Sequence, residues 1–198
     1  MTIQQSVPDY PAARQAMVDS QLRPQGVNDP LVVQAMASVA REQFVPDEHR
    51  PLAYLDRSVP LGDGRTLSPP AATGQLLTAM ALQPGQRALV LGAAAGYSAA
   101  VLSAMGLDVV AHDGAPDSGH AAGAPYDVIL IDGAVETVPD QLIDQLKDGG
   151  TIGFTALDRG ISRLTVGRKA GGSLGLRSIA DSTIVPQADA KRPQAFTF

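Results

Sequence analysis

Cysteine is absent from this 198-residue chain. Without it there is no disulfide, no thiolate zinc site, no iron–sulfur cluster and no thiol nucleophile. Basic residues are few: 15 Lys+Arg stand against 20 Asp+Glu, for a net charge of −5. They are scattered singly, so the clustered basic face that nucleic-acid binding needs is missing. No apolar run approaches the roughly 20 residues of a membrane span. The opening residues, MTIQQSVPDYP, have neither a positive n-region nor an apolar h-region, so a cytoplasmic protein is expected. The G-x-S-x-G elbow of the α/β-hydrolases is also absent, which argues against a Ser-His-Asp hydrolase. What is present suits a packed core: 44% hydrophobic and 18% charged residues, in a length expected to form one domain. The 20 glycines and 15 prolines punctuate it heavily.

The chain divides into three parts, 1–82, 83–156 and 157–198. In the first, residues 11–22 carry Met17, Val18 and Leu22 at helical spacing. Asp29-Pro30 reads as an N-cap followed by proline at the first helical position. Residues 41–70 have many breakers and little periodicity, which predicts a long loop, and loops of that length are often functional. A helix is expected over 71–82. In the second part, 87–92 reads as a buried strand, 93–105 as a helix in its later half, 106–113 as a strand and 126–132 as the strongest strand of all. A helix over 139–147, stopped by Gly149-Gly150, leads to a strand at 151–155. Alternating strands and helices predict an α/β fold with a doubly wound, mostly parallel sheet. In the third part, 162–168 and 173–179 flank Ala170-Gly171-Gly172 as an antiparallel hairpin, and AFTF at 195–198 reads as a final strand.

The turn LVLGAAAGYSAAVL, from Leu89 to Leu102, lies between a strand and a helix. There a ligand can approach backbone and helix N-terminus closely. Alone it is equally a small-residue turn that packs a helix on a sheet. Other tracts accompany it in order: Met36-x-x-Val39, FVP at 44–46, AYLD at 53–56, PLGDGRTLSPP at 60–70, PYDVILIDGA at 125–134 and VPDQLIDQLKDGG at 138–150. Together they resemble the protein-L-isoaspartate O-methyltransferases, over most of the chain from about Ala12 onward. The specific part is AYLD followed by the G-x-G-x-T-L-S tract.

The resemblance implies a Rossmann-like methyltransferase fold with N-terminal helices and a C-terminal antiparallel hairpin. It implies S-adenosylmethionine as cofactor, and methyl transfer to the carboxylate of isoaspartyl residues in damaged proteins or peptides, a repair reaction. It marks Ser68 and Thr66, in the T-L-S tract, as catalytic candidates. The acceptor carboxylate is already ionised at pH 7, so no strong base is needed. Positioning and exclusion of water are the expected contributions. The competing reading makes Ser68 a cap of the helix that follows Pro69-Pro70. Gly92, Ala94 and Gly96 fall under the methionine part of the cofactor. Asp56 reads as an anchor of the long loop, and Tyr97 as packing.

The chain departs from the family at the cofactor side. Ala94 replaces the middle glycine of the turn, and Leu91 stands where the family tends to have Glu. Only about a dozen residues, 114–125, join Asp113 to Tyr126, too few for a helix, a strand and a second helix. One strand–helix unit is therefore expected to be missing. Asp113 is either the acid that binds the ribose hydroxyls or, if VVAHD aligns later, a residue near the adenine. Asp132, at the C-terminal end of the strongest strand, is a further cofactor-side candidate. Asp127 and Glu136 flank that strand as well. His49, His112 and His120 have no metal-ligand spacing, and no metal site is expected. A second reading is a relative without the cofactor that acts as a binding or scaffold protein, dimeric across the sheet edge left by the missing unit. A third is a nucleotide-binding protein that uses the same turn.

Overall fold

The computed structural model describes residues 9–92, 94–112 and 119–184. Asp113 and the 195–198 strand fall outside these. The chain begins with α1 (Tyr10–Met17), which runs into a π-helical turn, Val18–Leu22, and a 3-10 turn, Arg23–Gln25. Gly26 then takes a left-handed φ of 84° and ends the segment. Asp29 accepts from the Leu31 and Val32 backbone N–H groups and starts α2 (Pro30–Ser38), the capping expected of Asp before Pro.

Residues 41–70 are not the elementless loop expected. They hold two 3-10 turns, Arg41–Phe44 and Asp47–Leu52, and an antiparallel hairpin of β1 (Val59–Gly62) and β2 (Arg65–Leu67). The strands are too short to show periodicity. Their turn is closed by positive φ at Gly62, Asp63 and Gly64. Asp56 anchors this segment: its Oδ1 accepts from Ala71 N at 3.1 Å and its Oδ2 from Gln25 at 2.7 Å. It thereby caps α3 (Pro70–Met80) from a distance, as the N-cap residue Pro69 has no side-chain donor or acceptor of its own.

The sheet follows as β3 (Arg87–Leu91), α4 (Ala95–Ala104), β4 (Asp108–His112), β5 (Tyr126–Val135), α5 (Asp140–Gln145), β6 (Leu146–Asp158), β7 (Ile161–Ala170) and β8 (Ser173–Ser182). Its strand order is β4-β3-β5-β6-β7-β8. The first four strands are parallel and the last three antiparallel. The predicted doubly wound sheet and terminal hairpin are both present. β4 is the parallel neighbour of β3, so VVAHD is the second strand of the sheet. No strand lies beyond β4 among the described residues.

The helix expected over 139–147 is shorter. Leu146 is extended and pairs with Tyr126, so β6 starts there and absorbs Gly149-Gly150. Lys169, reaching from β7, donates to the carbonyls of Ile143 at 2.6 Å and Leu146 at 2.7 Å, which satisfies the end of α5.

Alternation along the strands divides the core into two. Ala88, Val90, Val128 and Leu130 face the layer that contains α1 to α4. Leu89, Leu91, Ile129 and Ile131 face the other side, with Leu142 of α5. The helices that leave β3 and β5 therefore lie on opposite faces. This makes the β3/β5 crevice, at the carboxyl ends of the strands, the switch point where such sheets bind ligands.

Candidate active site

Ser68 ends the T-L-S tract, just past β2, and is buried. It does not cap α3. Its hydroxyl donates to Asp132 Oδ1 at 2.9 Å. Ser98, on α4, donates to the other oxygen, Oδ2, of the same carboxyl. Asp132 is the first residue of β5 beyond its ladder with β3, which ends at Leu91 and Ile131. Three elements far apart in sequence thus converge on one carboxyl at the switch point. Burial pushes the Asp132 carboxyl up from the ordinary range, while the two serine hydroxyls and the nearby Arg41 guanidinium oppose that shift. Beside it lies a cavity of about 20 Å³, lined by Ser68, Thr73, Ser98, Asp132, Thr155 and aliphatic side chains. That is room for one water.

Arg41 is fully buried behind this cluster. Its Nε donates to the Ala53 carbonyl at 2.7 Å, and its Nη2 donates to the Ser68 carbonyl. Its guanidinium lies over the Tyr97 ring, 4.7 Å from the centroid. Burial lowers its proton affinity, which Tyr97 and Asp132 partly restore. Tyr97 is buried and meets Phe44 edge-on, with centroids 5.6 Å apart, which is the packing role expected of it. The sequence reading missed Arg41 and Ser98. Ser98, one of two serines on the mostly apolar α4, was a readable signal, whereas nothing local marks Arg41 as buried.

The glycines of the Gly92–Gly96 turn differ in what they meet. Gly92 has φ of 120°, and a Cβ there would collide with the Asp132 carbonyl oxygen. Only glycine lets β3 end this close to β5. Gly96 is helical, and a Cβ there would make an ordinary 3.5 Å contact with Phe44. Ala94 and Gly96 open α4, whose N-cap has no side-chain hydrogen bond. Together with Gln43, Phe44, Pro46, Leu61, Arg65 and Tyr97 they line an open cleft of about 340 Å³. Among the described residues this lining has one basic side chain, no acidic one, and an uncapped helix start, a combination that favours a carboxylate. These residues fit the amino-acid end of S-adenosylmethionine. Thr66 is half-buried on β2 and takes no part in the hydrogen bonds that join Ser68, Ser98, Asp132 and Arg41. Asp132, expected on the cofactor side, is tied to Ser68.

His112 and His120 bring their rings to within 6.0 Å of each other beside the β4 edge, while His49 pairs with Glu48. Among the described residues, no group of three or more His, Cys, Asp or Glu could hold a metal. Nor does any described helix have the length and apolar content to cross a membrane.

The family model for protein-L-isoaspartate(D-aspartate) O-methyltransferase matches residues 12–110 and 106–191. A protein-L-isoaspartate O-methyltransferase of Methylorubrum extorquens is 38% identical over 175 residues, 76% of this chain and 77% of that one. The corresponding protein of Koribacter versatilis is 32% identical over 200 residues, 87% of this chain and 89% of that one. A solved protein-L-isoaspartate O-methyltransferase superposes with a TM-score of 0.76 at 21% identity; the match covers 87% of this chain and 65% of that one. A structure from Plasmodium falciparum, described as such a methyltransferase in complex with S-adenosyl-L-homocysteine, gives a TM-score of 0.72 at 16% identity, over 91% of this chain and 99% of that one. The sheet is that of a Rossmann-like methyltransferase. The chain belongs to the protein-L-isoaspartate O-methyltransferase family.

Proposed function

We propose that this chain transfers methyl from S-adenosylmethionine to the carboxylate of isoaspartyl residues in proteins and peptides. The observation that carries this reading is the bond between Ser68, from the acceptor tract, and Asp132, at the switch point beside the Gly92 turn. Ala94, Gly96 and Arg65 would hold the cofactor's amino-acid end, and Asp113 is the candidate for its ribose. Bound there, the cofactor would supply a methyl on a sulfonium, with a neutral thioether as the leaving group, so that an ionised carboxylate acceptor needs no base. The chain's own work is positioning. Arg41 fixes the Ser68 backbone, Asp132 holds its hydroxyl, Ser98 holds Asp132, and the aliphatic wall of Leu76, Leu77, Leu130 and Leu164 shields the site.

The test is calorimetric titration with S-adenosylhomocysteine, followed by methyl release from an isoaspartyl peptide. Binding tighter than roughly 100 μM, about −5.5 kcal/mol, together with turnover that falls in Ser68→Ala, is expected. The confined 20 Å³ cavity and the outer edge of β4, unpaired among the described residues, favour a second reading, a binding protein that does not use the cofactor. No heat at that sensitivity would select it.

A further inference from the structure

Ser68 and Ser98 each have one hydroxyl proton, and both protons point at the Asp132 carboxyl. When Asp132 is ionised it accepts both, and Ser68 is left with lone pairs only. A carboxylate acceptor is then opposed twice: Ser68 has no proton to offer, and Asp132 adds a second negative charge. The surroundings do little to relieve this. Arg41, from the 3-10 turn, donates from Nε and Nη2 to the Ala53 and Ser68 carbonyls, leaves Nη1 without a partner among the described residues, and acts on Asp132 through its charge alone. Tyr97, from α4, is a buried neutral phenol. The side chains that α3, β6 and β7 turn toward the cavity, Thr73, Leu77, Thr155 and Leu164 among them, are uncharged.

We propose that Asp132 is a positioning residue that decides where the Ser68 hydroxyl points, so that the acceptor carboxylate binds only to the form in which Asp132 carries a proton. This rests on the function proposed above. With the proton on Asp132, one carboxyl oxygen becomes a donor to a serine, and the Ser68 hydroxyl is released to donate to the acceptor. The proton is taken from solvent as the acceptor binds and returns there on release. No covalent bond to carbon changes in this step.

The full chain, saturated with S-adenosylhomocysteine so that nothing turns over, is titrated with an isoaspartyl peptide by calorimetry between about pH 5 and pH 8, in buffers of different ionisation enthalpy. Above the Asp132 titration, the wild-type affinity is expected to fall about tenfold per pH unit, with uptake of close to one proton per peptide. In Asp132→Asn both the slope and the uptake disappear, and the peptide binds more tightly than to wild type at the alkaline end. Ser98→Ala removes one donor from Asp132 and is expected to move the wild-type slope to higher pH, which gives an independent reading should the Asn variant not fold. Equal pH dependence in wild type and both variants, or binding without proton uptake, overturns the proposal and leaves the methyltransferase reading standing. Absence of peptide binding in every variant at every pH overturns that reading and this proposal together.

Discussion

Gly92 and Asp132 meet backbone to backbone where β3 ends beside β5, leaving no space for a side chain on Gly92. The contact joins the glycine-rich turn to the residue that holds Ser68. Gly92→Ala should therefore destabilise the fold by more than about 1 kcal/mol, from positive φ and the collision together. Gly96→Ala, helical and with an ordinary contact to Phe44, should change stability by no more than about 0.5 kcal/mol. Urea denaturation of the two variants checks this, and equal losses would contradict the division of the turn.

Arg41 spans the Ala53 and Ser68 carbonyls while stacking on Tyr97. An ammonium cannot do all three. Arg41→Lys should cost about 2 kcal/mol or more, because at least one buried carbonyl loses its partner. Thermal unfolding measures it, and an unchanged midpoint would mean the guanidinium is dispensable.

Tyr54 donates to Glu42 and accepts from Arg14 at 2.8 Å. Burial, with the Glu42 hydrogen bond, pushes its phenol up to about 12. The folded chain thus holds this proton more tightly than the unfolded one. That contribution is complete below the ordinary phenol value of about 10 and is lost as pH rises toward 12. Alkaline unfolding followed by tyrosinate absorbance should show this loss in wild type and a shallower one in Tyr54→Phe. The variant should also be about 1–3 kcal/mol less stable at neutral pH.

Asp132 follows the same sign rule as an acid. Its folded proton affinity is raised, so its contribution is present below about pH 4, the unfolded carboxyl value, and is lost as pH rises through the folded one. The stability of Asp132→Asn relative to wild type should therefore increase from acid to neutral pH. A constant difference across that range would show that Asp132 folds in its ordinary ionised form.

Asp56→Ala removes the acceptor for Ala71 N and for Gln25. A loss of about 1 kcal/mol is expected, as for an N-cap. Faster proteolysis between Asp56 and Ser68 would accompany it, since this carboxylate ties that segment to α3. Unaltered stability would leave the segment anchored by its hairpin alone.

Sequence by itself determined the elements whose information is local. The Asp29 cap, the Gly171-Gly172 hairpin and the apolar runs of β3 and β5 follow from turn chemistry and from spacing of two or 3.6 residues. It also determined the family, because Ser68 and its tract form a contiguous string. Tertiary structure alone decided the rest. Asp132 lies 34 residues from Ser98 and 64 from Ser68, and no periodicity encodes their meeting on one carboxyl. Whether Arg41 is solvated or buried depends on which carbonyls and which ring surround it. The length of β6 depends on a neighbour, Tyr126, that reaches it only through the sheet. Local pattern selects the conformation of a segment, whereas burial, pairing and charge state are set by what distant segments bring against it.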